Sequence, residues 1–164
     1  MSYRIRELKP DQIQNIWDEW LGQYFRERLT GAPRIDDDEW SHMIEWCVPL
    51  SPVFSSVVEL ICLRPAALSE HTRIYKELER TEVAKKYPHP TSKLLSHLLK
   101  VKIPTYLVCN EVENIFRELM NTDVPLSELE SILDLISLIG CKNALNLRNN
   151  LRSQASVENA DIVI

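Results

Sequence analysis

The chain is predicted to be all-α, with proline-punctuated helices paired as antiparallel helical hairpins, either in a HEAT-like or α-solenoid-like stack or as an irregular helical bundle. Three observations predict it. Only 3 glycines stand against 9 prolines, whereas hairpin-rich β folds need glycine at turns with positive φ. Apolar residues recur at helical rather than alternating spacing over most of the length. Pro33, Pro52, Pro65, Pro88, Pro104 and Pro125 recur every ~13–23 residues, one helix plus a turn, so helix pairs make units of ~35–45 residues.

Taken in order, the first helix runs from Pro10 to about Leu29. Ile13, Ile16, Trp17, Trp20, Leu21, Tyr24, Phe25 and Leu29 fall on one face of it, and Pro10 suits its first turn. Gly31 and Pro33 end it. Asp36 and Glu39 are spaced like a capping box for a second helix carrying Trp40, Met43, Ile44, Trp46 and Cys47. Pro49 breaks that helix, and Ser51-Pro52 starts a third, with serine as cap and proline first in the helix. The third helix, with Val53, Phe54, Val57, Val58, Ile61 and Leu63, is apolar nearly all round, which predicts a central place. Pro65 ends it, Ser69 caps a helix holding Ile74, Tyr75 and Leu78, and a short turn of helix follows from Thr81 to Tyr87.

Pro88 and Pro90 are expected to stop what precedes, and an amphipathic helix then starts at about Thr91. Leu94, Leu95, Leu98, Leu99 and Val101 fill one broad arc; Ser92, Lys93, Ser96, His97 and Lys100 fill the other. The leucine arc requires helices on either side to cover it. After Pro104, Val112, Ile115, Phe116, Leu119 and Met120 make another helical face. A further helix opens between Pro125 and Ser127, where Ser127 and Glu130 match a capping box, and closes at Gly140. Asn143 to Arg152 forms one more. By size the 164 residues make a single domain that buries roughly two-thirds of its unfolded surface. That domain is placed over residues 1–152, with a frayed tail over residues 153–164.

Composition excludes several classes. At 45% hydrophobic and 26% charged residues the chain is too apolar for disorder. A net charge of −5 argues against a general nucleic-acid coat. No apolar run approaches the ~18 residues of a membrane span, so no membrane association is expected, and MSYRIRELKP lacks the apolar core of a secretory signal. Cys47, Cys62, Cys109 and Cys141 contain no CxxC pair, so reduced core thiols and a cytoplasmic location are expected.

Charge is layered along the chain. Residues 1–30 are neutral, 31–63 carry −5, 64–102 carry +5, 103–140 carry −6 and the tail +1. Stacking in sequence order would place a positive layer between two negative ones that satisfy it. The same segment holds the one feature that suggests binding. Arg73, Lys76 and Arg80 recur at i, i+3, i+7, Lys85 and Lys86 follow, and Lys93 and Lys100 repeat at i, i+7. Together they would make a ridge for phosphates or an acidic partner surface. Only Tyr75 and Tyr87 are available there for base stacking.

Catalytic patterns are missing: there is no HExxH, GxSxG, Walker loop or glycine-rich phosphate cradle. His42 with Glu39 or Glu45 reads as a solvated pair rather than metal ligands. Asp36 to Glu39 lacks the alternation and central glycine of a calcium loop and instead complements a helix N-terminus. Neither metal nor cofactor is expected. A Cys/His nucleophile assembled across the fold would need a thiol of depressed pKa. Trp17, Trp20, Trp40 and Trp46 are expected to pack between the first two helices.

Trp20, Tyr24, Phe25, Arg28, Leu29, Gly31 and Pro33 form the start of a longer pattern. It continues through Glu39, Met43, Trp46, Phe54, Val57, Leu60, Tyr75, Leu78 and Tyr87-Pro88 to the Leu94-Leu95-x-His97-Leu98-Leu99 run. Over residues 16 to 140 the chain resembles a helical C-terminal region of large bacterial proteins found among anti-phage defence genes, some with a sirtuin-like N-terminal domain. The resemblance implies a non-enzymatic helical sensor or scaffold, partnered by an effector domain or subunit of the same system. Since no nucleotide-binding fold is expected within the chain, it would be a subunit or a fragment. The alternatives are a nucleic-acid-contacting accessory subunit using the ridge at residues 73–100, and a small Cys/His hydrolase.

Overall fold

A computed structural model describes residues 10–16, 23–24, 26–27, 51–62, 72–101 and 108–161, and among these every regular element is helical. The elements are α1 (Pro10–Ile16), α2 (Ser51–Cys62), α3 (Thr72–Arg80), α4 (Val83–Lys86), α5 (Pro88–Val101), α6 (Cys109–Met120), α7 (Leu126–Ile139) and α8 (Ala144–Asp161). The four tryptophans, the acidic run at 36–39, His42, Glu45, Cys47 and Ser69 lie outside the described residues.

Proline stands at the start of α1, α2, α5 and α7. The leucine helix begins at Pro88, not at Thr91, and takes both Pro88 and Pro90 into its first turn. There the missing proline N–H has no intrahelical partner to lose, and the Thr91 N–H already reaches the Tyr87 carbonyl at 3.0 Å. Leu94, Leu95, Leu98 and Leu99 are buried, as the leucine arc requires. Thr91 and Ser92 are buried too, although Ser92 was expected on the polar arc. The reason is that α5 packs on two helices, α2 and α7. On the second side Ser92 Oγ donates to Glu128 Oε2 of α7 at 2.7 Å.

Leaving aside the short α4, each helix packs on the next but one. α2 meets α5 and α5 meets α7, while α3 meets α6 and α6 meets α8. Two layers result, α2–α5–α7 and α3–α6–α8, with α4 touching α3, α5 and α6 between them. Across the layers α7 also packs on α6 and on α8. The core is continuous: Phe54, Val57 and Ile61 of α2, the α5 leucines, Phe116 and Leu119 of α6, and Ile132 and Ile136 of α7 are all buried. Phe54 also stacks on Tyr87, with ring centroids 5.4 Å apart.

Local signals decide the turns. Thr81 Oγ1 donates to the Glu77 carbonyl at 2.7 Å, closing α3, and Glu82 then takes the left-handed conformation with φ 50°. The expected Ser127/Glu130 capping box does not form. Pro125 is the N-cap, without a side-chain cap bond, because its carbonyl accepts the N–H groups of Glu128 and Leu129 at 2.9 and 3.1 Å, which places Ser127 inside the helix. At the other end Gly140 has φ 82° with nothing near the site of a Cβ. Strain alone therefore sets the cost of Gly140→Ala, which is expected to lower stability by about 1 kcal/mol in a urea titration. α8 continues past Arg152 to Asp161. Ala144, Leu147 and Leu151 anchor its start, and extending a formed helix is far easier than nucleating one.

Ile16 and Tyr24, which share the apolar face of the first helix, are 38% and 44% exposed. Periodicity identifies a face but not whether a neighbour covers it. Cys109 and Cys141 were expected as reduced thiols, yet they form a disulfide with Cα atoms 5.3 Å apart. Spacing along the chain did not show that the first turn of α6 and the α7–α8 turn meet. The premise of four thiols, on which a cytoplasmic location was expected, does not hold for this pair.

Tyr75 is wholly buried on α3, and its hydroxyl has no hydrogen-bond partner among the described residues. Burial also holds its phenol well above the ordinary titration range. Tyr75→Phe is therefore expected to raise stability by about 1 kcal/mol at neutral pH. Because the folded pKa is the higher one, the folded state retains the proton. Stability from this group is intact below the unfolded value of about 10 and is lost as pH rises beyond it. Thermal melts between pH 7 and 11 check both: the phenylalanine variant should melt higher and lose less on the alkaline side.

Candidate functional site

The predicted ridge is distributed over three helices. Ile74, Tyr75 and Leu78 turn one side of α3 into the core, so Arg73, Lys76 and Arg80 lie exposed on its other side. Lys85 and Lys86 are exposed on α4, and Lys93 and Lys100 on α5. α3 and α5 belong to different layers, so periodicity within each helix does not add up to one continuous strip.

Carboxylates meet several of these cations. Arg80 Nε donates to Glu77 Oε2 at 2.9 Å. Lys85 Nζ lies 2.8 Å from Glu82 and 3.5 Å from Glu118. Lys93 Nζ donates to Glu59 Oε1 at 2.6 Å. Each partner perturbs the group it meets. The hydrogen bond to Glu82 holds the Lys85 ammonium above its ordinary pKa, and the same bond holds Glu82 below the usual carboxylate range. Glu59 does the same to Lys93. Among the described residues no carboxylate pairs with Lys76, Lys86 or Lys100.

Partners come from both acidic flanks. Glu59 belongs to the −5 segment, and Glu118 to the −6 segment. The second flank also supplies Asp123, 3.4 Å from His89, and Glu128, the acceptor for Ser92. Glu79 reverses the sense, accepting from Asn114 Nδ2 at 2.6 Å. The positive middle of the chain thus binds the negative segments on either side. These exposed pairs set register more than stability.

Other chemistry is sparse among the described residues. No group of three His, Cys, Asp or Glu side chains can hold a metal ion, and no helix is long and apolar enough to cross a membrane. Cys62 is the free cysteine described. Burial raises its thiol pKa, opposed by Lys93 and reinforced by Glu59, which is the wrong direction for a nucleophile.

Sequence reasoning missed two features around α6. Glu113 is 2% exposed. Its Oε1 accepts the Asn143 N–H at 3.1 Å, its Oε2 accepts Asn143 Nδ2 at 2.7 Å, and Arg117 Nη2 stands 3.5 Å away. The carboxylate thereby caps the start of α8 from another helix. The signal was available, since Glu113 sits beside Val112 and three residues before Phe116 on a buried face. The second feature is a pair of adjoining depressions of ≈ 440 and 420 Å³ that share Arg117 and Asn121. The first reaches Lys85, Glu118 and Thr122; the second reaches Met120 and, on α8, Asn150, Ser153 and Gln154. No motif marks it, because its walls come from helices that meet only in the folded chain.

No curated protein and no solved structure matches the chain. A family model described as "Domain of unknown function (DUF4020)" matches residues 1–136, from the N-terminus through most of α7. With the larger part of its length matched by that model, the chain belongs to the DUF4020 family.

Proposed function

We propose that this protein is a non-enzymatic helical interaction module that binds another protein, an effector domain or subunit of a bacterial anti-phage defence system. The observation that carries the reading is the two-layer stack. In α2–α5–α7 and in α3–α6–α8 each helix packs on the next, a stacking of the kind repeat proteins use to build extended binding surfaces. Leu138 and Leu145, 69% and 68% exposed on either side of the α7–α8 turn, add apolar contact area. The defence setting rests on the resemblance of residues 16–140.

The nucleic-acid reading is the weaker one, because Arg80, Lys85 and Lys93 already meet carboxylates. Labelled single- and double-stranded oligonucleotides at two salt concentrations separate the two readings, and salt-sensitive binding would favour phosphates. For the hydrolase alternative, Cys62 is expected to alkylate with iodoacetamide at pH 8 more slowly than glutathione, read peptide by peptide by mass spectrometry. Faster alkylation would revive it. The direct test is isolation of the native complex from cells challenged with phage. A stoichiometric protein partner is expected, and a lone chain would contradict the reading.

A further inference from the structure

α7 and α8 follow one another in the chain but are anchored very differently. α7 buries Leu129, Ile132, Leu133 and Ile136 and packs on α5 and α6 as well as on α8. Among its described residues α8 buries Ala144, Leu147 and Leu151, and it packs on α7 and α6. Its polar ties lie in its first half. Glu113 accepts the Asn143 N–H at 3.1 Å and Asn143 Nδ2 at 2.7 Å, and the exposed pair of Arg148 with Asp134 adds little.

The covalent tie is the bond from Cys109, the first residue of α6, to Cys141 in the turn ahead of α8. The Cys141 carbonyl accepts the Ala144 N–H at 3.2 Å, so the bridge fixes the point at which α8 is nucleated, the costly step in forming a helix. One of its two sulfurs can be approached from solvent. Cys141 is 5% exposed, whereas Cys109 is only partly buried and its neighbour Asn110 is exposed. Disulfides that a thiolate can reach are the labile, regulatory kind rather than the inert structural kind.

We propose that the Cys109–Cys141 disulfide is a redox switch, which holds α8 on α6 and α7 when oxidised and releases it when a dithiol reduces the bond, the rest of the fold staying in place. One thiolate of the dithiol attacks Cys109 Sγ, the S–S bond breaks, and Cys141 leaves as a thiolate and takes up a proton. The second sulfur of the dithiol then displaces Cys109 from the mixed disulfide, and Cys109 takes up a proton in turn. The reductant ends as its own disulfide, having supplied both electrons and both protons. Leu138 and Leu145, exposed on either side of the turn, belong to different helices, so α7 keeps one while α8 carries the other away. The surface at this end of the molecule then differs between the two states. The switch is a property of this chain alone and does not rest on the interaction-module reading.

The test places the native full chain, without denaturant, in buffers of stepped ratio of reduced to oxidised dithiothreitol at pH 7. After acid quench and alkylation, the peptides carrying Cys109 and Cys141 are quantified by mass spectrometry, and hydrogen exchange is read at each step. The two cysteines are expected to become alkylated together. As they do, the amides of residues 147–154 should lose protection by at least about tenfold, while residues 92–100 and 129–136 keep their slow exchange. Cys109→Ser/Cys141→Ser should show the same selective loss in every buffer. A bond that opens only in denaturant would overturn the proposal, as would reduction that unprotects the whole chain or leaves α8 as protected as before. So would a double variant that does not fold, since a switch needs a folded open state, and so would purified protein with no bond to reduce.

Discussion

Leu98→Ala is expected to destabilise the protein by about 3–5 kcal/mol, the upper part of the range for a buried leucine truncation. Leu98 is fully buried on the helix that packs between α2 and α7. The cavity would open in the middle of a layer, where neighbours on both sides are held by their own contacts and cannot collapse into it. The α2 side is pinned by Lys93 on Glu59, and the α7 side by Ser92 on Glu128. In a urea titration the midpoint should fall with the slope unchanged. A loss below about 1 kcal/mol would mean that α5 is peripheral.

Cys141→Ser is the second large effect. The bridge joins residues 32 apart in sequence, and closing a loop of that length stabilises by about 3–4 kcal/mol through the unfolded state. The loop encloses all of α7, so the bridge restrains the helix against which α5 packs as well as the start of α8. Wild-type protein should melt several degrees lower with dithiothreitol than without it, and the serine variant should melt low in both. A wild-type melt indifferent to reductant would show that the two sulfurs are not bonded in solution.

Much of the fold was legible because short-range chemistry controls it. The leucine arc of α5, the buried face of α3 and the Gly140 stop each follow from residues within a turn or two of one another. What could not be read depends on contacts between segments. Ser92 looked polar and is buried because Glu128 arrives from another helix. Cys109 and Cys141 looked like separate core thiols until the α7–α8 turn met α6. The charge layers were visible as numbers, and their mutual pairing is borne by Lys93–Glu59 and Lys85–Glu118. The basic residues were found one by one, but helical spacing cannot say that α3 and α5 fall in different layers. The depressions beside α6 had no sequence signature at all, since Asn and Gln at i, i+4 are common on solvated helices.

α5 joins α2 to α7 in the layer it lies in, so the surfaces on either side depend on it. Native-state hydrogen exchange measures this directly. The amides of residues 92–100 should exchange only through global unfolding, at the slowest rates in the chain and with the same denaturant dependence as the α7 core around Ile132 and Ile136. Exchange of α5 by local opening, ahead of α7 and α2, would contradict the account.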